Sequence, residues 1–165
     1  MTKKSHLFCG FCGSGYQELV WPRTCTSCKE TTWRNPVPVA VVLLEVQPGS
    51  VLLIKRGIEP KIGQWALPGG FIEHGETLQE GAARELREES GFDLEPHRFF
   101  LYHAASSQDK SNLLLFARAR LWGFGEYDLS FRCEETLDMR LATKPEDLAF
   151  SSHTEALLKY LQDYQ

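Results

Sequence analysis

The order of regular elements along this chain predicts an α/β fold of the α+β kind: a mixed β-sheet sandwiched between helices, preceded by a small cysteine-rich β unit. Three observations carry that expectation. Apolar, β-branched runs flank an acidic helix with signals at both ends, and a second amphipathic helix closes the chain. Residues 1–36 differ in kind, holding two Cys-x-x-Cys turns and few apolar side chains. With 165 residues and 42% hydrophobic content, the chain can build one main core and a small appendage. The expected division is 1–36 and 37–165.

In the head, Cys9-Gly-Phe-Cys12 and Cys25-Thr-Ser-Cys28 are separated by twelve residues. Each turn can direct two thiolates at one tetrahedral ion, so Cys9, Cys12, Cys25 and Cys28 read as the ligands of a four-cysteine zinc ribbon. Gly10, Gly13 and Gly15 ease the tight turns this requires. A closed four-thiolate site keeps no open position, which makes its zinc structural, and binding supplies folding free energy that the few apolar residues cannot. Disulfides are the weaker alternative, because the N-terminus lacks the apolar stretch of an export signal. Lys3, Lys4, Arg23, Lys29 and Arg34 give the head a net charge of +3, against −7 for the remainder. Such scattered basic residues on an acidic body argue against nucleic-acid binding. Bracing the larger domain or a homodimer contact is the expected role. Cys133, the fifth cysteine, reads as a buried or half-buried apolar residue.

Trp33-Arg34-Asn35-Pro36-Val37-Pro38 forms the junction, since each proline disfavours helix at the residue before it. Residues 39–45 are β-branched and almost wholly apolar, as a central strand is. After the Gln47-Pro48-Gly49-Ser50 turn, residues 51–56 return as a second strand, and the two read as a hairpin. A loop over 57–63 follows, with Lys55, Arg56 and Lys61 nearby. Gln64-Trp65-Ala66-Leu67 is short and apolar, and Leu67-Pro68-Gly69-Gly70 is a turn signal. Beyond the acidic helix, 98–103 and 112–121 read as strands joined by a turn at 106–111, and 137–142 as a weaker strand. Ser152 and Glu155 form a capping box ahead of a helix packed through Ala156, Leu157, Leu158, Tyr160 and Leu161.

The acidic helix carries the chemistry. Thr77 and Glu80 form a capping box, Ala82 to Arg87 are good helix formers, and Gly91 stands where a left-handed cap ends a helix. At about 100° per residue, Leu78, Ala82, Glu85, Leu86 and Glu89 share one broad face, with Glu88 at its edge. Glu85, Glu88 and Glu89 therefore sit side by side and repel one another. A cation relieves that repulsion, and carboxylate-held divalent cations act mostly on phosphates. Gly69 and Gly70 let the backbone approach a ligand, and the Gly70 carbonyl is a further oxygen donor.

Gly70, Glu76, Arg84, Glu85, Leu86, Glu88, Glu89, Gly91 and Phe92 also match, at every fixed position, the signature of the Nudix family: G, five residues, E, seven residues, then R-E-U-x-E-E-x-G-U, where U is bulky and apolar. The chain thus resembles a Nudix hydrolase with an N-terminal zinc ribbon. The resemblance implies the Nudix fold over the larger domain and hydrolysis, dependent on Mg2+ or Mn2+, of a nucleoside diphosphate linked to another moiety. It also implies that Gly70, Glu85, Glu88 and Glu89 bind the catalytic metal. Arg84 would orient the carboxylates, and Glu76 would stand behind them or be metal-linked. Glu89 is the expected general base, and Glu135, in the acidic Glu134-Glu135-Thr-Leu-Asp138 stretch, is its competitor.

A ribbon joined to such a domain is similar to the NADH pyrophosphatase branch and its relatives acting on ADP-ribose or FAD. The Ser-Gln-Pro-Trp-like motif of that branch is not kept, since Ser107-Gln108 is followed by Asp109-Lys110. ADP-ribose, NADH and FAD all remain open. Arg56, Trp65 and Phe71 are candidate substrate contacts, through charge for the first and ring stacking for the others. Two other readings are a nucleotide-sensing regulator, against which the intact box speaks, and an RNA 5′-end pyrophosphohydrolase that uses the ribbon for binding. No apolar run approaches the roughly 20 residues of a bilayer span. A cytoplasmic enzyme with a small nucleotide substrate is expected.

Overall fold

The computed structural model describes residues 6–18, 20–121 and 127–163; Lys3 and Lys4 lie outside them. The chain divides into two compact units, Met1–Pro36 and Val37–Gln165.

In the first unit, β1 (Arg23–Thr24) pairs antiparallel with β2 (Thr31–Thr32). The turn between them is closed by Lys29 N–H donating to Cys25 O and Cys25 N–H donating to Glu30 O, both at 2.9 Å. The first cysteine turn is closed in the same way, by Cys9 N–H to Ser14 O at 2.8 Å and Gly13 N–H to Cys9 O at 2.9 Å. Gly13 adopts φ +77°, a conformation glycine enters without steric cost.

The second unit is built on β3 (Val37–Glu45), β4 (Val51–Arg56), β5 (Trp65–Ala66), β6 (Gly69–Phe71), β7 (Phe100–Ser106), β8 (Asn112–Arg120) and β9 (Thr136–Ala142). These form one mixed sheet in which β3 runs parallel to β8 along its whole length and the other pairings are antiparallel. Helices α1 (Leu78–Ser90) and α2 (Ser151–Asp163) cover it. Side chains of β3 alternate between them. Ala40, Val42 and Leu44 pack with Ala82 and Leu86 of α1, while Val41 and Leu43 pack with Ala156, Leu157 and Tyr160 of α2. Both faces of β3 are therefore buried, which accounts for its continuous apolar sequence. On β8, Arg118 and Arg120 are exposed and Ala117 and Ala119 are buried.

Three local expectations need correction. The strands β3 and β4 meet only at Glu45 and Val51, so the hairpin opens at once. β4 takes its main partner from β9, and β3 from β8 and β6. Second, Gly69 and Gly70 belong to a strand as well as ending a turn, with Ala40 opposite Gly70 and Val41 opposite Gly69. Gly69 has φ +148°, and a Cβ there would lie 2.2 Å from Ala40 O. Absence of a side chain lets β6 lie flat against β3. Third, Ser152 lies inside α2, which begins at Ser151, so it is not the residue preceding the helix.

Candidate active site

The position of the acidic side chains is fixed by how α1 starts, ends and packs. Thr77 Oγ1 accepts from Glu80 N–H at 3.2 Å, and Glu80 Oε2 accepts from Thr77 N–H at 2.8 Å, completing the capping box. Gly91 closes the helix at φ +74°, its N–H donating to Arg87 O at 2.9 Å. With Ala82 and Leu86 buried against the sheet, the neighbouring positions 85 and 89 turn toward β6.

Arg84 organises the cluster through all three of its guanidinium nitrogens. Its Nε and one terminal nitrogen grip Glu76 bidentately at 2.7 and 2.9 Å, and that second nitrogen also donates to Phe71 O at 2.9 Å. The other terminal nitrogen donates to Glu85 Oε1 at 2.7 Å and Glu88 Oε2 at 3.1 Å. Glu76 is held to about 2 by the Arg84 guanidinium, helped by the Glu73 N–H. Glu88 keeps 54% of its side chain exposed and remains free to meet a ligand.

Glu89 is placed by the backbone instead. Only 5% exposed, it accepts the Gly69 N–H at 2.7 Å. Burial drives its carboxyl up to about 8, against the lowering effect of Gly69, and the charges of Glu85 and Glu135 add to the rise. Burial likewise raises Glu85. A Cβ on Gly70 would lie 2.6 Å from the Glu85 carboxylate, so β6 and this carboxylate touch only because residue 70 lacks a side chain. Buried, mutually repelling carboxylates beside a close backbone segment form an oxygen-rich donor set that suits Mg2+ or Mn2+.

These groups line one wall of a cleft of about 1140 Å³ in the second unit, bordered by Gly69, Gly70, Glu85, Glu88 and Glu89. Glu135 lies on the same cleft. Its segment is pinned by Gly57 N–H donating to Glu135 O at 2.7 Å, and a Cβ on Gly57 would collide with Glu134 O. Arg56 lines the cleft, its Nε donating to Pro60 O at 2.8 Å and its guanidinium 5.3 Å from the Phe150 ring. Phe71, 58% exposed, also borders the opening. Trp65 is not brought there. It packs against the core facing α2, and Arg140 covers its ring at 4.4 Å.

In the first unit, the sulfurs of Cys9, Cys12, Cys25 and Cys28 all lie within 4.8 Å of one another. Cys9 and Cys28 are 3.7 Å apart, and Cys12 and Cys25 3.6 Å. Zinc–sulfur bonds of about 2.3 Å place tetrahedral sulfurs about 3.8 Å apart, so these spacings suit a zinc site of four thiolates. None of the four forms a disulfide. The Ser14 hydroxyl, with the Ser14 backbone, lowers the Cys12 thiol to about 6. Against the lowering effect of the Glu30 backbone, burial and the neighbouring thiols push Cys28 up to about 12, so the metal-free cluster does not hold four thiolates together.

A family model for the NUDIX domain matches residues 34–163. The chain belongs to the Nudix family. Curated relatives include the NAD-capped RNA hydrolase NudC of Salmonella heidelberg (strain SL476), 32% identical over 98 residues, which are 58% of this chain and 37% of the relative. That match thus spans just over a third of the relative's own length. Among solved structures, a NUDIX hydrolase from Nitrosomonas europaea superposes with a TM-score of 0.77 at 32% identity, covering 96% of this chain and 92% of the other. A bifunctional NMN adenylyltransferase/ADP ribose pyrophosphatase from Francisella tularensis, complexed with AMP and a Mn ion, shares the fold with a TM-score of 0.62 at 19% identity, over 81% of this chain and 43% of that one. No helix among the described residues is long and apolar enough to cross a membrane.

Sequence reasoning missed much of the remaining wall of this Nudix cleft. Ile58, Glu59 and Lys61 line it from the loop after β4, and Phe150, Ser151 and His153 from the start of α2. Ser107 and Gln108, where the chain departs from the Ser-Gln-Pro-Trp pattern, line it as well. Only Lys61 and the Ser107-Gln108 pair carried any signal in the sequence.

Proposed function

We propose that this Nudix chain hydrolyses the pyrophosphate bond of a nucleoside diphosphate linked to another moiety, of the ADP-ribose, NADH or FAD class, and releases a nucleoside monophosphate. The observation that carries the reading is the convergence of Glu85, Glu88, Glu89 and the Gly70 backbone on one wall of the cleft. Gly70, Glu85, Glu88 and Glu89 would hold Mg2+ or Mn2+, which would supply charge neutralisation at the phosphates and acidify the attacking water. Arg84 keeps Glu85 and Glu88 aligned, and Glu76 in turn keeps Arg84 in place. Glu89 takes the water proton as general base, with Glu135, which lines the same cleft, the alternative. Arg56 and Phe71 contact the substrate. Water adds across the P–O–P bridge, one P–O bond breaks, and each product leaves with a terminal phosphate.

In this reading 1–36 is a structural zinc ribbon and 37–165 the hydrolase domain. The four cysteine ligands must stay reduced, which supports a cytoplasmic setting. The test is a product-resolved panel of ADP-ribose, NADH, FAD, diadenosine polyphosphates and nucleoside triphosphates with Mg2+ or Mn2+. AMP from at least one of the first three is expected, and turnover of nucleoside triphosphates alone contradicts the substrate class.

One observation favours a second reading. Phe8, Phe11 and Trp33 are 67%, 65% and 65% exposed on the unit of net positive charge, a surface on which bases can stack. With relatives named as NAD-capped RNA hydrolases, it supports a nucleotide-capped RNA 5′ end as substrate. Salt-sensitive RNA binding that weakens in Phe11→Ser supports this reading, and binding unchanged by salt and substitution removes it.

A further inference from the structure

The cleft wall opposite in chemistry to the acidic box is built of donors. His153 is 8% exposed, and its Nδ1 accepts the Leu67 N–H at 3.2 Å. The proton of the neutral ring therefore sits on Nε2. Among the described residues Nε2 has no hydrogen-bond partner, although the side chain lines the cleft. Burial, reinforced by the nearby positive charge of Arg56, holds His153 down to about 3, so the ring stays a neutral donor at physiological pH.

Its surroundings add to this. His153 N–H and Thr154 N–H both donate to Phe150 O, at 3.0 and 3.1 Å. That leaves the Ser151 and Ser152 amides, at the start of a 13-residue helix, without an acceptor among the described residues. Both serines line the cleft. The Phe150 ring, 5.0 Å from the His153 ring, has the Arg56 guanidinium 5.3 Å from its centre. An unpartnered N–H on a buried ring, a helix N-terminus and a cation together suit an acceptor that is negative.

We propose that His153 Nε2–H, the Ser151 and Ser152 amides and Arg56 form an anion subsite that takes a phosphate oxygen of the nucleotide substrate. The inference rests on the pyrophosphohydrolase reading for the identity of the anion. The subsite holds one phosphate while the other meets the acidic wall.

The discriminating pair of variants is His153→Asn and His153→Gln. Asn retains an acceptor where Nδ1 meets Leu67 but loses the outer donor, while Gln carries an N–H out to the Nε2 position. Binding of ADP-ribose and ADP is measured by calorimetry in EDTA, where no metal-dependent turnover occurs, with thermal melts of each variant alongside. His153→Asn should weaken binding about tenfold, as loss of a hydrogen bond to a charged group does, and His153→Gln should restore most of it. Equal affinity in wild type and Asn overturns the subsite and leaves the hydrolase reading standing. Equal weakening in Asn and Gln also overturns it, because packing then explains the loss. Failure of the wild type to bind either probe overturns it too, and the product panel decides the hydrolase reading separately.

Discussion

Arg84 sets one cation among Glu76, Glu85 and Glu88 and leaves Glu89 to the Gly69 amide. The division matters for charge. Glu76 is tied so tightly that it stays ionised throughout the working pH range, whereas Glu89 is buried beyond the reach of Arg84's hydrogen bonds and rises to about 8. An unfolded glutamate titrates near 4.5. Between 4.5 and 8 the cation-free native state therefore holds a proton that the unfolded chain has lost, and stability falls as pH rises through that window. Glu89→Gln removes the penalty. The metal-free variant should melt higher than metal-free wild type at pH 8, by roughly several degrees, with the gap shrinking toward pH 5. Calorimetric melts in EDTA at the two pH values check this, and a gap that does not depend on pH contradicts the burial of an ionisable Glu89. Added Mn2+ should stabilise wild type more than the variant.

At the scale of elements, β6 and α1 act together, and two adjacent glycines separate their roles. A Cβ at Gly69 meets backbone, 2.2 Å from Ala40 O, whereas one at Gly70 meets the Glu85 carboxylate at 2.6 Å. Gly69→Ala should therefore cost several kcal/mol, about 3 or more, through strain and a displaced strand. Gly70→Ala should fold with a near-normal melt but lose about 100-fold in turnover, because the Glu85 side chain yields and the ligand geometry is lost. Thermal melts and a Mn2+-supported rate measurement on both variants separate the two effects. The helix was legible in the sequence because its determinants are local: Thr77 with Glu80, the 85-88-89 spacing, and Gly91. β5 and β6 were not, because strands of two and three residues carry too little pattern, and their pairing depends on β3 and β4 at a distance. His153 was silent for a similar reason. Its tautomer is fixed by Leu67, 86 residues away in sequence, and one histidine on an apolar helix has no local signature.

For the whole molecule, two motifs of different length scale determine two units. The first unit is legible from its cysteine spacing because, in the proposed zinc ribbon, a metal takes the place of an apolar core as the organising contact. Reduced protein should carry one zinc per chain by elemental analysis. Chelation should make four further thiols reactive to a thiol reagent, and absence of zinc contradicts the four-cysteine assignment. In the larger unit, strand order was only partly legible, since the parallel pairing of β3 with β8 joins residues 75 positions apart. The cleft inherits that difficulty: its acidic wall comes from one continuous motif, while Arg56, Glu135, Phe150 and His153 arrive from separate segments.

The most direct test of the central claim is AMP release from ADP-ribose with Mn2+, measured by chromatography for wild type and Glu89→Gln at equal folded concentration. Metal-dependent AMP formation by wild type, reduced at least about 100-fold in the variant, is the expected result. Equal rates in the two proteins, or wild-type rates unchanged by EDTA, would contradict a carboxylate-held metal site as the seat of hydrolysis.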